Sequence, residues 1–512
     1  MKMYTNILRF MMGYLLVIFA FQPIQAQHPV MDQNISFECF GCSIAEALAE
    51  IETQISYFFS YNPDVFAGKK PISIKYDTIR LGELLDTVIS DTTIHYSVLE
   101  KQVVLYRKGV ENAESIKQSG LRSKTSFTVT GTIVDRQTKK PLPFANICVV
   151  GKSLGSVSNM QGEFVMKVPG SLWNNSLGIS CIGYKTYIRP LSEINNQPVF
   201  ELEADYIPIQ EVIIRQTEPL LLLKAALKKI PENYNQNPSI LTSFYRETIE
   251  RGNEFMSITE SVLHTYKPGY VKTHENEQIK VVKGRKSQNI NTGDSLLVKL
   301  KAGLNTTLLL DIVRNPADFL QEEYFEVYDY RLADIITDND RETYVIDFKQ
   351  KEYINEPLYQ GKIYIDVKNL AIKNFEFSLN KEGIEKTGDR FVVKKPRWLV
   401  VKPVDANYRV SYREYGQKYY LNFVRSQTDF RIRKKRQIFS SLYRSKLEMV
   451  ITDIDTTDVK KFRYKEVAKP ETIFTNLIQE SSETYWEDFN YIKPDESLEE
   501  AVNRINRSII EN

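Results

Sequence analysis

Apolar residues change their period along the chain, and each change marks a boundary. From Asn34, the residues Ile35, Phe37 and Cys39 alternate as one face of a strand, after which Ile44, Leu48, Ile51 and Ile55 recur at the spacing of a helix face. The step then repeats. An aromatic strand at Tyr57 to Tyr61 is followed by a turn at Asn62-Pro63-Asp64 and Gly68, a strand at Ile72 to Tyr76, and a helix around Leu81, Leu84, Leu85 and Val88. Two more strands, near Ile94 to Val98 and Val103 to Tyr106, complete a small α+β unit over residues 30–108, with two helices on one small sheet.

Residues 109–126 show no hydrophobic period and are rich in charge and small polar side chains, the composition of a flexible linker. Over 127–214, short alternating strands are separated by Lys139-Lys140-Pro141, Gly151, Asn159 with Gly162, and Gly183. That rhythm predicts an antiparallel β-sandwich of about seven strands. Gly162 is placed to supply a left-handed backbone before the strand face Phe164, Met166 and Val168.

Residues 218–512 open with a helix signal at Leu221, Ala225 and Leu227, stopped by Pro231. Strand-like runs follow, among them Ser243 to Thr248, Met256 to Leu263, Tyr324 to Tyr330, Glu342 to Lys349, Trp398 to Val401, Tyr408 to Tyr412, Tyr419 to Arg425 and Leu447 to Ile454. Ile363, Ile365 and Val367 meet Leu370 and Ile372 across Lys368-Asn369 as a hairpin. A helical stretch near Leu296 to Leu310 interrupts the strands, and Leu498, Val502, Ile505 and Ile509 form a helical stripe at the end. The fold class expected is multidomain and mostly β, its last module a large curved sheet. An outer-membrane barrel is disfavoured, because evenly repeated strand pairs and a final aromatic strand are missing from the pattern.

Two modules resemble known families. Ile35 to Ile89, with its early strand–helix step and Tyr61-Asn62-Pro63, resembles the secretin and TonB short N-terminal (STN) domain. The resemblance implies a periplasmic protein-binding module without chemistry of its own. Gly131, Asp135, Pro141, Ala145, Gly155, Gly162, Phe164, Gly183 and Tyr184 resemble the carboxypeptidase regulatory-like domain, in the form fused to outer-membrane transporters of Bacteroidetes. That family name denotes an accessory sandwich and implies no peptidase. Relatives often carry acids before the turn glycine where this chain has Asn159 and Gln161, which weakens a calcium site there. In the last module, Phe244 to Ile249 and Gly361 to Phe377 resemble segments of Bacteroidetes envelope proteins that also carry the sandwich. Its hairpin region is loosely similar to the half-barrel of periplasmic lipoprotein carriers, which hold acyl chains against a concave apolar face.

At the front, Lys2 and Arg9 flank an uncharged run from Phe10 to Phe21, and Ala26 closes a short exit, the three-part shape of a signal peptide over residues 1–26. The exit is not followed by Cys, which argues against a bacterial lipid anchor. Of 512 residues, 67 are Lys or Arg and 65 Asp or Glu; without Lys2 and Arg9 the charges balance at 65 each. No electrostatic case exists for binding nucleic acid.

Export makes Cys39 and Cys42 worth weighing, since C-x-x-C suggests a redox centre. The alternation of Ile35, Phe37 and Cys39 favours a buried strand residue instead, and a local disulfide stays open. Cys148 and Cys181 fall on opposite faces, which argues against a bridge. Tyr57, Phe59 and Tyr61 read better as core with one exposed flank than as a docking face. His264 and His274, with Glu260 and Glu275 nearby, are the nearest approach to a metal-ligand set, and surface or strand histidines are commoner. Adjacent acids such as Glu322-Glu323 occur by chance in a charged chain. The basic run Arg431, Arg433, Lys434, Lys435 and Arg436 reads as a solvated strand edge or turn, with contact to anionic envelope glycolipid as the functional alternative. No catalytic motif and no cofactor is called for. The expectation is a periplasmic, outer-membrane-associated adaptor binding an envelope protein or glycan; the alternative is a lipid or lipoprotein carrier.

Overall fold

The computed structural model describes residues 31–55, 57–61, 71–89, 94–99, 102–107, 126–194, 198–205, 218–252, 254–288, 299–300, 304–381, 383–394, 396–468, 478, 486, 489–495 and 498–502. The expected leader, nearly all of the linker, His28 and the end of the terminal stripe, Ile505 and Ile509, lie outside them. The chain divides into two compact units, Met1–Leu121 and Arg122–Asn512.

In the first unit, β1 (Asn34–Cys42) pairs with β3 (Ile72–Arg80), while β2 (Phe58–Tyr61) and β4 (Ile94–Leu99) flank β5 (Gln102–Arg107). The unit therefore holds two small sheets around one core, where one sheet was expected. Period-2 patterning fixes which side of a strand is buried and says nothing of its partner. The helices Ile44–Gln54 and Leu81–Ile89 supply that core with Ala47, Leu48, Ile51, Leu81, Leu84, Leu85 and Val88. Ser43 starts the first helix through a capping box: its Oγ accepts from Glu46 N at 3.3 Å, and the Glu46 carboxylate accepts from Ser43 N at 2.8 Å.

The second unit begins with seven short strands: β6 (Ser126–Asp135), β7 (Asn146–Val149), β8 (Gly155–Val157), β9 (Glu163–Pro169), β10 (Ser176–Ser180), β11 (Tyr187–Pro190) and β12 (Val199–Leu202). They form a sandwich of two sheets, ordered β12-β6-β9 and β11-β10-β7-β8. One pair, β12 with β6, is parallel, a departure from the all-antiparallel expectation. Ile133, Ile147, Phe164, Met166, Leu177, Ile179 and Phe200 fill the space between the sheets. Gly131 is required there because a Cβ would lie 2.8 Å from the Pro198 carbonyl and 2.9 Å from the Phe164 ring. Gly162 has φ +73°, and a Cβ would collide with the Ile133 carbonyl. Gly162→Ala is expected to cost about 2 kcal/mol or more in urea unfolding of the chain. Gly151→Ala, also at φ +73° but with open space around its Cβ, is the control and should cost about 1 kcal/mol.

The rest of the unit is built on β13 (Ser239–Arg251), β14 (Glu254–Lys267), β15 (Gln278–Gln288), β16 (Lys299–Leu300), β17 (Tyr328–Asp338), β18 (Arg341–Gln350), β19 (Tyr359–Asp366), β20 (Ile372–Leu379), β21 (Val392–Lys394), β22 (Leu399–Tyr415), β23 (Lys418–Lys434) and β24 (Ser441–Asp455). Ten of these make one antiparallel sheet in the order β15-β14-β13-β24-β23-β22-β20-β19-β18-β17, and β16 pairs with β21 alone. The sheet does not close on itself, since β15 and β17 are its edges. The runs expected at Trp398 to Val401 and Tyr408 to Tyr412 merge, from Leu399 onward, into a single strand of 17 residues, because Pro403 falls at a bulge where the ladder skips a residue. Tyr324 to Tyr330 is not one strand: Glu322–Val327 is a 3-10 turn and β17 starts at Tyr328. The interrupting helix is short, Leu304–Leu309, and Pro231 sits in the first turn of a second short helix, Ile230–Asn233, after Pro219–Lys228 ends.

Candidate functional site: the two faces of the large sheet

Alternation gives the ten-stranded sheet two faces, one covered by the chain's own helix and loop and the other covered in its middle but open at β17 and β18, where Arg331 is exposed. Leu241, Tyr245, Leu263, Ile346, Ile363, Ile365, Phe375, Val410, Leu447 and Met449 point to one side. Over them lie the helix Pro219–Lys228, through Leu223 and Ala226, and the segment from Leu310 to Phe325. Phe319 from that segment stacks on Phe348 at 4.2 Å between centroids, and Phe377 stacks on Tyr408 at 4.9 Å. The apolar face on which a carrier would lay an acyl chain is thus filled by the protein's own aromatic side chains.

The cover is latched by buried charge. Lys267 Nζ lies 2.5 Å from Asp311 Oδ2 and also pairs with Glu277. Tyr412 donates to Asp311 Oδ1 at 2.8 Å and accepts from Val313 N at 3.0 Å. Arg314 approaches Glu277 at 3.5 Å and donates to the carbonyls of Lys272 and Glu275 at 2.9 and 2.6 Å. Burial acts to lower the Lys267 ammonium, but Asp311 and Glu277 outweigh it and hold the group above its ordinary value. The Tyr234 hydroxyl donates to the Ile372 carbonyl and ties the start of the module to β20. Beside the latch is a groove of about 470 Å³ lined by Glu275, Gln278, Ile279, Leu308, Leu309 and Arg314, among others.

On the same face, Tyr245 donates to Glu247 Oε2 at 2.8 Å. Burial raises the Glu247 carboxyl to about 7, against the pull of that hydrogen bond. The folded chain keeps a proton that the unfolded chain releases near pH 4.5. The stability tied to this proton is complete below pH 4.5, declines as pH rises to about 7, and is flat beyond. Glu247→Gln is therefore expected to gain stability relative to the parent by about 3 kcal/mol between those limits, read from urea midpoints at pH 4.5 and 7.5.

The opposite face holds the sandwich and the C-terminal residues. Phe144, at φ +59°, stacks on Phe423 at 5.2 Å, with the Arg425 guanidinium 4.8 Å from the Phe144 ring. Arg413 donates to the Ser153 carbonyl at 2.5 Å, and Gly155 passes so close to this guanidinium that a Cβ would clash with it. A second buried charge cluster sits here: Glu260 accepts from Arg246 Nε at 2.7 Å and from Arg285 at 2.6 Å, and Arg246 also donates to the Ile492 carbonyl at 2.7 Å. Burial pushes the Glu260 carboxyl up, but Arg246 and Arg285 together bring it below its ordinary value. Lys167 N donates to Asn490 Oδ1 at 2.5 Å, and Lys493 meets Glu163 at 2.8 Å, so residues 490–493 bridge sandwich and sheet.

The sequence candidates fall as follows. Asp135 caps a turn by accepting from Gln137 N at 2.9 Å, and its other oxygen accepts from the Tyr184 hydroxyl at 2.9 Å. Asn159 accepts from Gln161 N at 3.0 Å and Glu163 N at 2.8 Å, bonds that tie the turn to itself. Gly183, at φ +82°, donates from its N–H to the Thr337 carbonyl at 2.7 Å, docking the sandwich to β17. Phe164 is core. Cys39 and Cys42 are joined as a disulfide across a Cα separation of 6.1 Å, packed against the first unit's core. Tyr57 and Phe59 pack against that core as well, while the side chain of Tyr61 lies outside the described residues. Cys148 points away from the sandwich core as expected, yet it is not in solvent: Arg413 neighbours it, and burial raises its thiol. Cys181 is free, with its thiol pushed up by burial to about 11. Glu260 and Glu275 are spoken for by arginines and by Lys461 at 3.1 Å, and His264 is half-buried with its pKa lowered by burial. Among the described residues, no three His, Cys, Asp or Glu side chains are grouped to hold a metal. No helix among them is long and apolar enough to cross a membrane.

Comparison with known proteins matches residues 129–214 to the family model of the CarboxypepD_reg-like domain. That region is therefore such a domain, and it holds every residue of the Gly131-to-Tyr184 pattern. No curated protein matches the chain. Among solved structures, a domain described as an outer membrane lipoprotein-sorting protein from Vibrio parahaemolyticus is 10% identical, covering 48% of this chain and 96% of its own, with a TM-score of 0.24. A DUF1329 family protein from Desulfovibrio piger is 10% identical, covering 49% of this chain and 100% of its own, with a TM-score of 0.22. A lipovitellin structure is 9% identical over 44% of this chain and 26% of its own, with a TM-score of 0.21.

Proposed function

We propose that the chain is an exported, non-catalytic envelope adaptor of a Bacteroidetes-type bacterium. In this reading it binds a partner protein or glycan on the periplasmic side of the outer membrane through its STN-like and CarboxypepD_reg-like modules. One observation carries the proposal: both faces of the large sheet are occupied by the chain itself, on one side by Leu223, Phe319 and their neighbours and on the other, over its middle, by the sandwich through Phe144. The scaffold is then rigid and its recognition surfaces are external, as a module that positions others requires. The buried charges support the same view, since Lys267, Glu260 and Arg246 are each engaged by partners inside the fold.

The carrier reading is favoured by a different feature, the predominantly apolar sheet face under the cover, which displacement of residues 304–325 would expose. A photo-crosslinker placed at Phe40, which is exposed in the first unit, separates the two. In cells, the adaptor reading expects one discrete crosslinked protein or glycan band at this position. Crosslinks from Phe40 to no macromolecule, together with tightly held lipid, would favour the carrier.

A further inference from the structure

Residues 435–440, the loop joining β23 to β24, carry the most exposed large apolar pair among the described residues: Ile438 is 90% and Phe439 89% exposed. Nearby, Trp398 and Leu442 are also exposed, at 42% and 41%. From Phe430 to Leu447 the sequence holds seven Lys or Arg residues and no acid. Two of the seven are paired, Arg444 with Asp429 at 3.1 Å and Lys446 with Glu250 at 2.6 Å. No described carboxylate pairs with Arg431, Arg433, Lys435 or Arg436. Exposed Arg397, in the turn before the adjoining strand β22, and exposed Lys402 on that strand add to the same end of the sheet.

The loop is built rather than loose. Arg433 spans it by donating to the carbonyls of Lys435 at 3.3 Å and Gln437 at 3.2 Å. Lys435 N donates to the Trp398 carbonyl at 2.9 Å, and Lys434 Nζ lies 5.5 Å from the centre of the Trp398 ring. Beneath it, Val401 and Phe430 are buried, with Ile432 and Tyr443 packed on them.

We propose that this tip docks the chain onto an anionic lipid surface. Ile438 and Phe439 enter the boundary between headgroups and acyl chains, Trp398 sits at headgroup level, and Arg431, Arg433, Lys435 and Arg436 pair with lipid phosphates. The occupant follows from the combination. Cations alone match any polyanion, but an aliphatic side chain at the apex, flanked by an aromatic one and ringed by charge, matches hydrocarbon beneath an anionic layer. The proposal rests on the reading of an outer-membrane-associated chain and adds the surface by which that association is made.

The test uses the full mature chain with vesicles of phosphatidylcholine alone or of equal parts phosphatidylcholine and phosphatidylglycerol. The parent chain is expected to float with the anionic vesicles and not with the neutral ones, and its tryptophan emission should shift to the blue. Ile438→Ser with Phe439→Ser should weaken this binding at least about tenfold and leave its salt dependence. Lys435→Ala with Arg436→Ala should also weaken it about tenfold, and should flatten the salt dependence. All four positions are exposed, and unchanged urea midpoints confirm that the variants fold. No binding by the parent chain to anionic vesicles would overturn the proposal, as would binding indifferent to the apolar pair or equal binding to duplex DNA. Any of these three failures leaves the Phe40 crosslink, and with it the adaptor reading, intact.

Discussion

Glu260→Ala is expected to cost about 3–5 kcal/mol in the urea unfolding of the chain, the penalty for stranding buried charge. Glu260 is 1% exposed and is the shared counter-charge of Arg246 and Arg285, at 2.7 and 2.6 Å. Without it, two guanidinium groups sit at a covered sheet face with one distant acid, Glu448, 4.0 Å from Arg246. The effect should extend to the C-terminal residues, because Arg246 also holds the Ile492 carbonyl. Amide exchange over 489–495 is therefore expected to speed up with the midpoint shift. The carboxyl is held below its ordinary value of 4.5, so its stabilisation is present above that pH and is lost as pH falls through the lower folded value. A cost below about 1 kcal/mol would mean that the cluster is solvated and that this face is not covered.

Asp311→Ala should be comparably damaging, about 3–5 kcal/mol, but with a different footprint. Asp311 is fully buried between Lys267 and the Tyr412 hydroxyl, and it belongs to the segment that covers the apolar face. Its removal leaves Lys267 with Glu277 alone and the Tyr412 hydroxyl without its acceptor, so that the bond from Val313 N to that hydroxyl is left to tie the segment to β22. Exchange should accelerate at 304–320 well before the β13/β24 ladder opens. Asp311→Asn retains an acceptor for Tyr412 without the charge and is expected to fall between alanine and the parent. Uniform acceleration across the sheet would show that the segment is not an independently latched cover.

The large sheet itself was partly legible. Tyr344, Ile346 and Phe348 alternate in the sequence and all pack on the covered apolar side. The hairpin across Lys368-Asn369 forms as read, with Ile365 opposite Ile372. Strand pairing at a distance, such as β13 with β24, was not legible, because alternation carries no partner information. β15 escaped notice because the run from Gln278 to Gln288 is crowded with Lys and Arg, whose stems lie along a half-buried edge. The two charge clusters were missed for a related reason. A charged residue inside a strand reads as a solvent-facing position, whereas Arg246 and Glu260 face a surface that the sandwich and C-terminal residues bury. One signal was present: Phe244 shares parity with Arg246, while Tyr245 takes the other side, so both faces of β13 carry aromatic residues. Such two-sided patterning marks a sheet covered on both faces.

The turn glycines of the sandwich were legible because their reasons are local, whereas that of Gly131 lies in residues distant along the chain. Gly162 and Gly183 take the left-handed backbone that turns demand, and Gly131 is hemmed in by its neighbours in space. The exposure of Ile438 and Phe439 was not, since an Ile-Phe pair in sequence looks like core, and only the hairpin places it at an apex.

Lipid analysis of the chain purified from its native envelope tests the account most directly. The Ile438→Ser, Phe439→Ser form is the one to use, so that lipid adhering to the tip does not count. Organic extraction followed by mass spectrometry is expected to recover far less than one lipid per chain, because Phe319, Phe348, Phe375 and Phe377 fill the covered face. Recovery of about one acyl lipid per chain, released by Asp311→Ala, would contradict the filled-scaffold account and make the cover a gate.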